Sequence, residues 1–125
     1  MSVFIIGNDD FSSNVLVGTY EVNRHDEFKE IQDANGLYHR LLTRANGRIT
    51  GTFDMRFLNP ADYERFVASK AAHRTSGGYY PCTVAVNNEL TNASSNFYID
   101  MSPVRNRNGS GRTVFDTFTV TIEER

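Results

Sequence analysis

The chain has 125 residues, which suits one domain with a hydrophobic core of its own. Its 13 Lys and Arg residues against 15 Asp and Glu give a net charge of −2, and this balance argues against a nucleic-acid-binding protein. The single cysteine excludes an intramolecular disulfide, so the sequence implies no oxidising compartment.

The chain begins with MSVFIIGNDD, in which only four apolar residues are consecutive and no basic residue precedes them. Such a segment is typical neither of a signal peptide nor of a membrane anchor. We therefore expect a protein that is made in a cytoplasm and stays soluble there.

The first strand is predicted from Asn14 to Val22, where alternate residues fall on two faces. The polar stretch that follows, residues 23–36, predicts an extended hairpin arm or an ordered loop. Two hairpin-type turn signals, Asn35-Gly36 and Asn46-Gly47, flank a predicted strand from Leu37 to Arg44.

The clearest strand signal runs from Ile49 to Phe57, where apolar residues alternate with polar ones over nine positions. A period of two assigns Phe53 and Phe57 to the buried face and fixes the register, because a slip of one residue would expose both.

One helix is predicted, from Pro60 to about His73, with Asn59 as its N-cap and Pro60 at its first position. Leu58 and Tyr63 have the spacing of a hydrophobic staple. The predicted apolar stripe, which should lie against the face carrying Phe53 and Phe57, consists of Tyr63, Phe66, Val67 and Ala71.

Three more strands follow: Tyr79 to Val86, Asn96 to Met101, and Thr113 to Glu123. Turns are predicted between them, at residues 87–95 and 105–111. Asp116 shares the parity of buried positions in the last strand, so either the strand begins after it or its carboxylate is paired.

This order of elements predicts a mostly β (α+β) fold for residues 1–125 as a single domain. The expected architecture is an antiparallel β-sandwich or a partly open barrel with one flanking helix at about residues 60–73, and with an arm at 23–36.

No pattern in the sequence indicates catalysis. His25, His39 and His73 are far apart and lack metal-ligand spacing, and Cys82 falls on the inner face of a strand. Arg105, Arg107 and Arg112 flank a turn, which favours a solvated loop over a phosphate contact. No nucleophile elbow, phosphate loop or carboxylate pair motif is present. We predict a non-enzymatic protein with no metal and no cofactor.

Several segments together resemble the tail-tube and distal-tail-like proteins of tailed bacteriophages, over about residues 15–123. The polar excursion NRHDEFKEIQDANG lies where the arm of such proteins falls. GRITGTFDMRF followed by NPADYERFVASKAAHR looks like their strand-then-helix step, and SNFYIDMSPVRNRN and RTVFDTFTVTIEER look like their closing strands.

The resemblance implies a virion structural protein of the tail tube, distal tail or baseplate ring, which acts by self-assembly without catalysis or cofactor. Its partners would be copies of itself, in a hexameric or trimeric ring or tube, and neighbouring tail proteins. It implies no membrane partner, and DNA only as cargo passing through the lumen.

The interface expected for such assembly combines the arm with the threonine face of the last strand, which is predicted to serve as a sheet edge or a ring contact. Its predicted members are Arg24, His25, Asp26, Glu27, Phe28, Lys29, Glu30, Ile31, Thr117, Thr119 and Thr121.

The sequence leaves two other functions open. A carbohydrate- or peptide-binding β-sandwich would use exposed Tyr38, Tyr79 and Tyr98 as an aromatic platform. A small hydrolase would need convergent polar groups that no motif indicates.

Overall fold

A computed structural model describes residues 2–26, 28–32, 34–42, 47–109 and 112–125. It has eleven strands and one α-helix in this part of the chain, with two 3-10 turns at residues 12–14 and 17–19. The elements in chain order are β1 (Phe4–Ile6), β2 (Asp9–Asp10), β3 (Glu21–His25), β4 (Phe28–Gln32), β5 (Tyr38–Leu42), β6 (Arg48–Met55), α1 (Pro60–His73), β7 (Tyr80–Val86), β8 (Thr91–Met101), β9 (Asn106–Gly109), β10 (Arg112–Phe115) and β11 (Phe118–Glu124).

Seven strands form one antiparallel sheet in the order β2-β1-β7-β8-β11-β6-β3, and two separate hairpins, β4-β5 and β9-β10, stand outside it. The predicted mostly β fold with one helix is confirmed. The sheet curls until its β3 end meets the end of β7, where the Asn87 N–H donates to the Val22 carbonyl oxygen at 2.7 Å. This closure gives the sheet the shape of a partly open barrel.

The barrel interior is filled by alternate residues of each strand, as a period of two requires. On β11, for example, Phe118, Val120 and Ile122 are at most 2% exposed. The prediction for the strand from Ile49 is confirmed, because Phe53 and Phe57 are each 1% exposed. Phenylalanine supplies most of the large side chains that are fully buried, and these include Phe4, Phe11, Phe53, Phe57, Phe66, Phe97 and Phe118.

The helix α1 spans the predicted residues, and its predicted N-cap is confirmed by a 2.9 Å hydrogen bond from the Asp62 N–H to Asn59 Oδ1. The predicted staple is wrong, because Leu58 is 69% exposed. Tyr63 instead stacks on Phe115, with ring centroids 5.6 Å apart, since β10 lies beside the start of the helix.

The predicted apolar stripe of α1 is confirmed at Tyr63 and Phe66, which contact Phe57 of the predicted face, and is wrong at Val67 and Ala71, which are exposed. Phe66 is buried between Phe11 and Phe57, with ring centroids 5.0 and 5.4 Å away, but Val67 is 48% exposed. The residues that accompany Phe66 on the buried side are Ser69 and, partly, Lys70. On this polar side of the helix, Lys70 Nζ lies 5.9 Å from the ring centroid of Phe66 and 5.5 Å from that of Tyr80, a cation–π arrangement. The helix therefore buries a mixed face that includes Phe66 and Ser69.

The strand predicted from Asn14 to Val22 is wrong over most of its length. Two 3-10 turns occupy residues 12–14 and 17–19, and the strand β3 begins only at Glu21. Thr19 Oγ1 donates to the Leu16 carbonyl oxygen at 2.7 Å, a local bond that competes with a strand ladder. Pairing at the N-terminus supplies β1 and β2, which the sequence pattern did not predict.

The predicted closing strand from Thr113 to Glu123 is broken at Asp116. Its first part, β10, leaves the large sheet to pair with β9. The Asp116 N–H donates to the Arg105 carbonyl oxygen, and its carboxylate lies 3.3 Å from the Arg107 guanidinium. Both predicted alternatives for Asp116 are therefore confirmed: the last strand, β11, begins after it, and its carboxylate is paired. The strand β8 begins at Thr91 and not at Asn96, because the residues from Thr91 onward pair with β7.

Candidate assembly interface

The hairpin β4-β5 is the element that contains most of the predicted arm residues. Its strands pair from Phe28 with Leu42 to Gln32 with Tyr38, and Gly36 has a φ of +81° in the turn that joins them. Four predicted interface residues, Phe28, Lys29, Glu30 and Ile31, fall in β4. Glu27 and Asn46 lie outside the described residues.

The hairpin is inserted at one end of the strand pair β3-β6. The chain leaves the large sheet at His25 and returns at Arg48, and these two residues pair with each other. Gly47 has a φ of +67°, and a Cβ there would run into the His25 carbonyl oxygen, so the return requires glycine. Residues 23–25 of the predicted arm therefore belong to β3.

The base of the hairpin is held by the turn between β7 and β8. The Asn88 side chain accepts a hydrogen bond from the Arg24 N–H at 3.1 Å and donates to the Arg24 carbonyl oxygen at 3.0 Å. The Arg24 Nε lies 2.9 Å from a Glu89 carboxylate oxygen. Arg24, a predicted interface residue, thus bonds within its own chain, while His25 and Asp26 beside it are exposed.

The sequence analysis missed Asn88 and Glu89, which fall in the predicted turn at residues 87–95. Their contacts with Arg24 span 64 and 65 residues of chain. No local pattern encodes contacts at this separation, and two polar residues in a turn are otherwise typical of a solvated loop.

The edges of the large sheet are protected. β3 is covered by Asn87 and Asn88, as described above. β2 has two residues, and hydrogen bonds from Ser12 and Ser2 lower the pKa of Asp10, which keeps this edge charged. By contrast, β4 and β5 pair only with each other among the described strands, as do β9 and β10, so each of these four strands keeps one open edge. The edges of β4 and β5 are the longer ones, with five residues each against four in β9 and β10.

The sheet-edge alternative for the last strand is wrong, because β11 lies between β8 and β6 and is paired on both sides. The alternative of a ring contact through its threonines stays a prediction. Although β11 is the last strand in the chain, its place in the sheet is between the earlier strands β8 and β6. Thr119 and Thr121 are exposed on its outer face, and Thr117 is exposed just before it. Thr119 Oγ1 donates to Asp54 Oδ1 at 2.9 Å, so part of this face is bonded within the chain.

The groups considered for chemistry are dispersed. Cys82 is 3% exposed, and burial raises the pKa of its thiol to about 12, which keeps it protonated and unreactive at neutral pH. His73 lies 3.5 Å from the Asp9 carboxylate. Within the described ranges, no three His, Cys, Asp or Glu side chains are close enough to share a metal ion.

Two of the three tyrosines considered as an aromatic platform come together on the outer surface of β7 and β8. Tyr79 and Tyr98 meet edge to face, with ring centroids 6.2 Å apart. The Arg125 guanidinium lies 4.3 Å from the Tyr79 ring centroid. The side chain of Tyr38 lies outside the described part of the chain.

The described residues thus form a small barrel, and the hairpin β4-β5 lies outside its sheet. In comparisons with known proteins, no family model, no curated sequence and no solved structure matches the chain. In the part of the chain that the structure describes, no helix has both the length and the apolar character needed to cross a bilayer.

Proposed function

We propose that this protein is a non-enzymatic structural subunit that assembles with copies of itself into a ring or tube, and that the β4-β5 hairpin makes the contact with the next subunit. The resemblance to tail-tube and distal-tail-like proteins extends the proposal to a virion protein of a phage tail. Its further partners would then be neighbouring tail proteins, with DNA passing through the lumen as cargo.

The observation that carries the proposal is the contrast between strand edges. The barrel keeps its own edges short, charged or covered, whereas the hairpin presents two five-residue edges. Open edges invite strand addition, and natural proteins retain them where another chain pairs with them. The clamp from Asn88 fixes the base of the hairpin and so reduces the entropy lost when it binds.

The decisive experiment removes the hairpin without disturbing the barrel. Because His25 and Arg48 are paired, residues 26–47 can be replaced by Asn-Gly, a sequence that closes two antiparallel strands. We expect the wild type to form oligomers that grow with concentration in light scattering, and the shortened chain to stay monomeric with an unchanged urea midpoint.

A shortened chain that assembles like the wild type would refute the role of the hairpin. A wild-type chain that is monomeric at every concentration tested would refute self-assembly itself. A matched control, Leu90→Asp, places a charge at a side chain that is 85% exposed in the β7-β8 turn and should assemble normally.

One observation favours the alternative of a carbohydrate- or peptide-binding module. The exposed Tyr98 meets the half-buried Tyr79, over whose ring the Arg125 guanidinium lies, and aromatic rings beside a guanidinium can stack on sugar rings or peptide side chains. Glycan and peptide arrays probed with the wild type and with Tyr98→Ala would test it. Binding that is lost in Tyr98→Ala, by a chain that stays monomeric, would favour this alternative.

A further inference from the structure

A shallow groove of about 460 Å³ crosses the outer face of the large sheet, over the strands β3, β6 and β11. A volume of this size is in the range of sites that bind small molecules. The outward side chains that line the groove are Glu21, Asn23, Thr50, Thr52, Thr121 and Glu123. They alternate with buried core residues, so the sheet itself holds them in place.

The strand register arranges these side chains in two rows across the sheet. One row runs from Tyr98 on β8 through Glu123 and Thr50 to Asn23. The row beside it consists of Thr121, Thr52 and Glu21. Three strand spacings of about 4.8 Å extend the first row over ~14 Å, which is longer than a single six-membered ring.

Several polar groups in the groove are not used by the fold. Within the described ranges, the side chains of Glu21, Asn23, Thr50 and Thr121 have no hydrogen bond or ion pair with the rest of the protein. Asn23 and Thr50 are half-buried and stand opposite each other on β3 and β6. A ligand that both donates and accepts hydrogen bonds can therefore bind here without breaking contacts of the fold.

The charge of the groove disfavours anionic ligands. Glu21 and Glu123 lie in it, and Asp100 lies beside it on β8. The Arg48 guanidinium is 2.8 Å from the Glu123 carboxylate and offsets one of the three negative charges. Even with His25 protonated at the end of the groove, three carboxylates outnumber two cations. A neutral ligand avoids this repulsion.

Tyr98 supplies an aromatic ring at one end of the longer row. Its side chain is 42% exposed and is held edge to face by Tyr79, with ring centroids 6.2 Å apart. Such a ring stacks on the apolar face of a sugar. An extended peptide fits less well, because it needs open strand edges and β6 and β11 are paired on both sides here.

We propose that this groove binds a neutral oligosaccharide, with one sugar ring stacked on Tyr98 and the hydroxyls of the following rings hydrogen-bonded to Thr50 and Asn23. The inference rests on the second candidate function, the binding module, and adds to it the ligand class and the rest of the site. It does not depend on self-assembly.

The full-length chain is tested on an array of neutral oligosaccharides and of the same glycans carrying a terminal sialic acid. We expect binding to neutral glycans and weaker binding to their sialylated forms. Calorimetry with the neutral glycan that binds best then gives a Kd for each variant. Asn23→Ala and Thr50→Val should each raise the Kd about fivefold, and Tyr98→Ala about tenfold, while the urea midpoint stays that of the wild type.

The matched control is Asn92→Ala, which makes the same change as Asn23→Ala on the same outer face. Asn92 is exposed on β8, and six strand residues at roughly 3.3 Å each place it ~20 Å from Tyr98. Its Kd should equal that of the wild type. An equal loss of affinity in Asn92→Ala and Asn23→Ala would overturn the inference.

The remaining outcomes separate the inference from the functions proposed above. If Tyr98→Ala loses binding while Asn23→Ala and Thr50→Val keep it, the tyrosine pair alone is the site, so the inference fails and the binding module stands. If the wild type binds no neutral glycan, or binds a lysine-rich peptide instead, the inference fails, and self-assembly is still decided by the hairpin deletion.

Discussion

Phe53→Ala tests the packing that holds the barrel together. The Phe53 side chain is 1% exposed, and its ring centroid lies 5.0 Å from that of Phe4 and 5.2 Å from that of Tyr20. Burying a Phe side chain contributes ~1.5–3 kcal/mol, and each aromatic contact adds ~0.5–1.5 kcal/mol. Since a rigid barrel cannot collapse fully around the cavity, we expect the free energy of unfolding to fall by about 3–5 kcal/mol.

Urea unfolding followed by circular dichroism measures this loss, provided that the m-value stays constant between the two proteins. Tyr98→Ala is the control, because Tyr98 is 42% exposed on the outer surface, and we expect it to cost less than about 1 kcal/mol. A loss below about 1 kcal/mol for Phe53→Ala would mean that the inward face of β6 is assigned wrongly.

Three further predictions concern alkaline stability, the helix cap and the hairpin base. In the folded chain the Cys82 pKa is about 12 against an ordinary 9.0, so the folded state binds more protons and stability falls as pH rises through this window. In urea melts from pH 8 upward, the free energy of unfolding of Cys82→Val should decrease less with pH than that of the wild type. A smaller decrease should remain in the variant, because the pKa of buried Tyr20 is also raised. Asn59→Ala should lower the free energy of unfolding by about 1 kcal/mol in urea melts at neutral pH, because the first turn of α1 loses its cap. Asn88→Ala should speed hydrogen exchange of the Arg24 amide, and an unchanged rate would show that this bond does not hold the base.

The elements that the sequence predicted well are those whose signals are local. The alternation from Ile49 to Phe57 and the cap at Asn59 lie within a few residues of what they determine. The structure confirms the cap and the predicted buried face, although the strand β6 ends at Met55. Binary pattern and capping act at this range. The inner face of the strand β7, which includes Cys82, follows from the same alternation.

The predictions that failed depended on contacts between distant segments. The stacking of Tyr63 on Phe115 depends on β10, and the exposure of Val67 accompanies the packing of Lys70 against aromatic rings; a helical period contains neither contact. The break at Asp116 follows from pairing with Arg105 and with the strand β9. Tertiary packing overrides local pattern in both places.

For the candidate interface, too, local signals in the sequence predicted one part and contacts between distant segments determined the rest. The polar stretch at residues 23–36 predicted an arm, and the structure places β4 within it, whereas β5 lies in the strand predicted separately from Leu37 to Arg44. The clamp at the base of the hairpin joins residues that are distant in sequence, Arg24 and Asn88, and no periodicity or motif could have indicated it.

The separation of hairpin and core decides how variants of this protein should be interpreted. Among the side chains that the structure describes, which do not include those of residues 27–31, 33 and 38–46, none of the buried core lies between Val22 and Ile49. Under the proposed function, we expect a substitution in the hairpin to change association and leave unfolding unaltered, whereas one in the core, such as Phe53→Ala, should change unfolding first. If hairpin variants lowered the urea midpoint of the monomer, the hairpin would have to pack on its own barrel, and its edges would no longer be open to a second copy.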